Sequence, residues 1–196
     1  MRLFDKYMED INKIYQKIIL KKIKDLPPHK MHFYDIKDAA GLNEEHTEAI
    51  KLGVSDAWNS FFPNNPQRFD IVVAQRIIED NGELSNMGAQ FLPDTKQIIF
   101  GDENIRGRNR FPGFSNTQKY LLIGAHEATH LAQVTRGDIL RPSRSMTPEE
   151  YQKDPHEHEA WTVSLRVFRK HNPYAAMQNV HVGKKIYHIP EKVTSV

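Results

Sequence analysis

The chain has 196 residues, of which 39% are hydrophobic and 27% charged, enough to bury a real core beneath an ordinary surface. Its formal net charge of +2 is too small to imply a nucleic-acid partner. The absence of cysteine excludes disulfides, zinc ribbons and thiol catalysis.

The first six residues, Met1-Arg2-Leu3-Phe4-Asp5-Lys6, carry charges every few positions and no apolar signal core. No stretch reaches transmembrane length. The expected location is therefore cytoplasmic, or outside the cell by a route without a cleaved signal peptide, with no membrane insertion. Residues 1–26 show helical spacing of Leu3, Phe4, Tyr7, Met8, Ile11, Ile14, Tyr15 and Ile18, ended by Pro27-Pro28. The reading is an amphipathic helix packed on the domain or covering its cleft. A second helix starts at Asn43, a good cap, and runs to about Phe61 ahead of Pro63. His46 within it has no partner at ligand spacing.

From residue 69 to 101 the pattern turns to strands. Phe69 to Ala74 and Ile77-Ile78 are rich in β-branched residues, and Asp80-Asn81-Gly82 supplies a turn. Ala89 to Leu92 and Gln97 to Phe100 flank Pro93-Asp94-Thr95-Lys96, a hairpin loop. The order predicts a small antiparallel sheet whose free edge can take an extended peptide as one more strand. Gly101 to Gly113, with Arg106, Arg108 and Arg110, reads as a loop. Ser115 or Asn116 caps the next helix, which runs to about Val134 and stops near Gly137. Leu121, Ala125, Ala128 and Ala132 form a narrow stripe down one side, suited to close approach by another element.

The same helix carries His126-Glu127-Ala128-Thr129-His130. Two histidines four apart lie on one helix face, close enough to hold one metal ion. Glu127 beside them is placed to act as general base on a water at that metal. A catalytic zinc takes three protein ligands, and a third histidine further along is missing: Arg136 stands where it would be, and Gln133 stands where its glycine would be. Asp138 reads as a turn residue beside Gly137.

Asp154 and Pro155 open another helix, which runs to about His171. Glu157 shares a mostly apolar face with Ala160, Trp161, Ser164, Leu165 and Phe168, whereas Glu159 shares one with Arg166 and Lys170 and reads as solvent-exposed. A carboxylate heading a core-facing stripe is costly unless it binds something, which favours Glu157 as the third ligand. The alternative is a capping box in which Glu157 merely hydrogen-bonds back to the backbone at Asp154. Tyr151, His156, His158, Tyr187 and His188 are candidate oxyanion or substrate contacts, with residues 184–196 a tail that could fold back or hang loose.

His126 to His130, followed by Glu157-His158-Glu159-Ala160, resembles the gluzincin metallopeptidases, above all their compact forms: the minigluzincins and the peptidase domains of the ImmA/IrrE type. The likeness covers roughly residues 88–171. It implies a single zincin-like α+β domain, Zn2+ on His126, His130 and Glu157, Glu127 as base, and a peptide or protein substrate bound as an extended strand. Larger gluzincins place an aspartate four residues after the ligand glutamate; here Trp161 stands there. The function expected is zinc-dependent hydrolysis of peptide bonds, by an endopeptidase. An alternative is a catalytically inactive metal-binding regulatory or recognition protein of the same fold, and a third reading is a helical adaptor without metal.

Overall fold

The computed structural model describes residues 34–38, 40–63, 65, 69–78, 82–85, 87–107, 111, 114–141, 145–172, 180–182 and 185–187. The chain divides between residues 32 and 33, and every described residue belongs to the second unit, Phe33–Val196. The helix expected over residues 1–26 lies outside the described residues. The architecture is α+β. In chain order it runs β1 (Tyr34–Asp38), α1 (Glu44–Phe61), β2 (Phe69–Ala74), β3 (Ala89–Leu92), β4 (Gln97–Gly101), α2 (Asp102–Gly107), α3 (Asn116–Thr135), α4 (Pro148–Lys153), α5 (Pro155–His171), β5 (Val180–Val182) and β6 (Lys185–Tyr187).

The main sheet has the order β1-β2-β4-β3. It is mixed, which corrects the antiparallel sheet expected from the sequence. β1 pairs parallel to β2 and β2 parallel to β4, while only β3 and β4 are antiparallel. The cause is connectivity. α1 joins β1 to β2 as a crossover helix, and a crossover of that kind yields parallel strands. The hairpin then places β3 on the edge and returns β4 alongside β2. Ile77-Ile78 contributes only an isolated bridge, from Ile78 to Leu84. Residues 102–107, expected as loop, form a short helix in which Asp102 is buried and bonded to Tyr120 and Arg106.

α1 begins where expected. The Asn43 side chain accepts from the His46 N–H at 2.8 Å, and Glu44 and Glu45 favour the positive end of the helix dipole. α3 opens on a capping box between Ser115 and Gln118. It closes on Gly137 (φ +100°), with Asp138 N–H donating to Gln133 O and Gly137 N–H to Val134 O. α1 and α3 pack backbone on backbone: a Cβ placed on Gly53 would lie 2.3 Å from Leu121 O, and one on Gly124 would lie 3.2 Å from Ile50 O. The small-residue stripe thus faces α1, and Ala125, Ala128 and Ala132 are fully buried.

α3 is central, covered by α1, by α5 and by strand β3, and every residue from Lys119 to Gln133 is buried. Ile71, Val73, Ile98 and Phe100 of the sheet and Val54, Tyr120, Leu122 and Phe168 of the helices fill the core between them. Phe114 stacks on Phe168, ring centroids 4.7 Å apart. Among the described residues, no helix is long and apolar enough to cross a membrane.

Candidate metal centre

Burying two imidazoles and two carboxylates on facing helices costs free energy unless each is answered by a partner. His126, Glu127, His130 and Glu157 are all 6–8% exposed. His126 and His130 stand one turn apart on α3, their rings edge to face with centroids 4.7 Å apart. Their Nε2 atoms are 3.2 Å from each other. Glu157, in the first turn of α5, brings Oε2 to 3.3 Å from His126 Nε2 and Oε1 to 3.6 Å from His130 Nε2. The three donor atoms lie within 4.8 Å of one another, a group able to hold a metal ion.

α5 delivers Glu157 here because its cap is supplied by another side chain. Asp154 accepts from the N–H groups of His156 and Glu157, at 2.9 and 3.0 Å. The Asp154 N–H, which Glu157 would accept from in a capping box, donates instead to Glu150 O at 2.9 Å, and the Glu157 carboxylate turns to the histidines.

The electrostatics favour a cation among these atoms. Burial opposes charge on the His130 ring, yet the Glu157 carboxylate beside it outweighs that and raises the imidazole to about 9. Burial likewise opposes charge on Glu157, but His126 and His130 hold its carboxyl well below the usual carboxylate range. Among the described residues, the buried Glu157 Oε2 has no hydrogen-bond partner. Two imidazole nitrogens and a carboxylate aimed at one point suit zinc, and they would also accept other first-row divalent metals.

Glu127 takes the neighbouring position. Burial is the largest influence and raises its carboxyl, with the Phe91 backbone N–H donating to it and opposing that shift. The register explains the contact. Gly101 N–H bonds to Gly88 O at 2.8 Å, so alternate β3 residues pair with β4, and Ala89 and Phe91 turn their backbone groups to the outer edge. That edge lies against α3 and Glu127.

The remaining sequence candidates divide. Tyr151, half-buried on α4, brings its hydroxyl to the Glu157 carboxylate; burial and that charge push its pKa far up, so the hydroxyl remains a donor. Trp161 Nε1–H donates to the same hydroxyl at 3.1 Å. The His156 ring turns away, with Nε2 3.8 Å from Asp138 and Nδ1 3.6 Å from Asp154. His158 is exposed. Tyr187 lies in β6, with no side-chain position described, and His188 is outside the described residues.

Sequence reasoning missed the groups that orient the histidines. Trp161, standing where an aspartate was expected, packs its ring on His126 with centroids 4.2 Å apart. Gln133 Oε1 lies 2.8 Å from His130 Nδ1. The signal for Gln133 was its place three residues after His130, on the same helix face. Glu159, expected in solvent, is half-buried and paired with Arg136. His46, expected as an ordinary residue, is half-buried against the Tyr120 ring at 4.9 Å.

Comparison with family models, with curated proteins and with solved structures finds no match to this chain. The functional reading therefore stands on the geometry above.

Proposed function

We propose that this chain is a compact gluzincin-like zinc peptidase that cuts a peptide or protein bound as an extended strand. The observation that carries the reading is the convergence of His126, His130 and Glu157 with a separate buried carboxylate, Glu127, at their side. A zinc ion held by the three ligands supplies Lewis acidity, polarising a carbonyl and making a water nucleophilic near neutral pH.

The chain's own groups do the rest. Glu127, its carboxyl raised by burial, accepts the proton of the attacking water and passes it to the departing amine. The Tyr151 hydroxyl, held by Trp161, turns its one O–H from Glu157 to the oxygen on which negative charge develops. The β3 edge at Ala89, next to the Phe91 N–H that Glu127 takes, offers backbone groups to an extended chain beside these residues, and strand addition of this kind positions the scissile bond without a deep pocket.

The test is a paired measurement on the purified full chain. Zinc content of about one ion per chain, after preparation without chelator, is expected. Wild type then cleaves a diverse peptide library, and Glu127→Gln retains zinc but loses cleavage by a factor of about 100 or more. Failure of wild type to bind zinc overturns the metal reading. If zinc is held and neither protein cleaves, the peptidase reading is lost and a metal-binding recognition protein remains.

A further inference from the structure

The two candidate ligands on α3 are held by different means, and at His130 the means reach the protein surface. Gln133 is fully buried. Its Nε2 lies 2.9 Å from the His156 carbonyl oxygen and 2.9 Å from Glu159 Oε2. Both neighbours are acceptors only, so the amide NH2 must face them, and a flipped amide would set its oxygen against two other oxygens. Oε1 is thereby fixed toward His130. An amide oxygen can only accept, which requires the proton on His130 Nδ1 and leaves Nε2 to face the metal position.

Glu159 is itself held. Arg136 Nη1 donates to its Oε1 at 2.9 Å and Nη2 to its Oε2 at 2.6 Å, a two-pronged pair. Arg136 Nε also bonds Asp138 at 2.6 Å, and Asp138 sits there because Gly137 turns the chain at the end of α3. A continuous set of contacts runs from the surface pair Arg136–Glu159 through Gln133 to the inner imidazole.

We propose that Gln133, clamped by Glu159 and Arg136, is the positioning residue that sets the His130 tautomer and so presets the metal site. Among the described residues, no carboxylate contacts His130 Nδ1; a neutral amide orients the ring, and the charge that stiffens it is kept one residue further out. The inference rests on the metal-site reading for its consequence, but not for the Nδ1 proton, which the Gln133 oxygen holds without a metal.

The experiment follows that division. In the metal-free full chain, raised in pH until the 15N shifts show the ring neutral, nitrogen–proton couplings report which nitrogen carries the hydrogen. Wild type is expected to hold it on Nδ1. Gln133→Met keeps the buried volume without the hydrogen bonds, and is expected to shift the ring toward the Nε2–H form. It is also expected to weaken zinc by about 10- to 100-fold in chelator competition. Glu159→Leu, a change at the half-exposed end of the contacts, should give the same shifts in smaller measure, and it remains informative if Gln133→Met fails to fold. Glu159→Gln, which keeps an acceptor for Gln133, should stay near wild type. An unchanged tautomer in both Gln133→Met and Glu159→Leu overturns the proposal. Wild type that holds the Nδ1–H form but takes up no zinc overturns the metal reading instead.

Discussion

His126 and His130 point their Nε2 atoms at one place, yet among the described residues no hydrogen bond anchors His126 as Gln133 anchors His130. Among those residues His126 Nδ1 is buried without a hydrogen-bond partner, and its ring rests on Trp161. A tilted ring contact of this kind, with 40° between the planes, limits how a ring can turn but leaves its tautomer undetermined, so Trp161 positions His126 by shape alone. The same Trp161 bonds the Tyr151 hydroxyl through Nε1, and the two duties can be separated by substitution. Trp161→Phe keeps an aromatic ring on His126 and removes the donor to Tyr151. It is expected to leave zinc affinity within a few-fold while lowering kcat. Tyr151→Phe is expected to lower kcat by about 100-fold with zinc retained, the size of loss typical for one oxyanion donor. If Trp161 acts through Tyr151, Trp161→Phe costs nothing further in a Tyr151→Phe background, whereas additive losses in the double variant would refute the coupling. The pH dependence of metal uptake belongs to the same residues. With His130 raised to about 9, zinc must displace a proton at any lower pH. Uptake at pH 7.5 is thus expected to release about one proton, and apparent affinity to fall about tenfold per pH unit on acidification. Calorimetry in buffers of different ionisation enthalpy measures the proton directly; uptake without release would contradict it.

At the scale of elements, the contact between α1 and α3 decides how well the metal helix is held. Gly53 admits Leu121 O where any Cβ would stand at 2.3 Å, and the obstacle is backbone, which cannot swing aside. Gly53→Ala is expected to force the helices apart and cost about 1–3 kcal/mol. Gly124→Ala, with its nearest contact at 3.2 Å, is expected to cost less. Urea midpoints at constant m-value give the ranking, and equal losses would refute the packing account. The helices were legible in the sequence because their ends are chemical. Asn43, Ser115 and Asp154 each satisfy N–H groups that the helix leaves unpaired, and Gly137 takes a positive φ. α4 was missed although Thr147 and Glu150 form a capping box, since six residues give too short a span for periodicity. The direction of the sheet was not legible. Alternation shows that a residue lies on a strand, but parallel pairing depends on β1 and on the route taken by α1. Likewise, Glu157 could be chosen over Glu159 from its apolar face, while the link from Gln133 to Glu159 exists only once α3 and α5 are side by side.

Taken over the whole molecule, α5 is fastened to the rest at both ends. At its start Glu157 meets the two histidines of α3. At its finish Lys170 Nζ and His171 Nε2 reach Asp56 Oδ2 of α1, at 2.8 and 2.5 Å. These two fastenings respond to different solution conditions. On the proposed metal reading the first depends on a cation bound by the triad, and zinc is expected to stabilise the fold by about 2.7 kcal/mol at a free concentration of 100 Kd. Chelator should lower Tm in wild type but not in His130→Ala, and an equal drop in both would mean that chelator acts elsewhere. The second fastening depends on acid. Burial pushes the Asp56 carboxyl up, but its bonds to His171 and Lys170 outweigh this and hold it below the ordinary value of 3.8. A carboxyl whose folded pKa is depressed contributes stability above its unfolded pKa and loses it as pH falls through the folded value. Lys170 is well exposed and its share is screened, so the pairing is worth only about 1 kcal/mol. Asp56→Asn, compared with wild type in chelator-treated protein, should be less stable at pH 7. The difference should shrink toward zero as pH falls through the depressed folded value, where the wild-type carboxyl also takes up its proton. Urea unfolding of both proteins at pH 7 and through that acid range decides it. A difference that persists unchanged in acid would show that the Asp56 contact works through shape and not through charge.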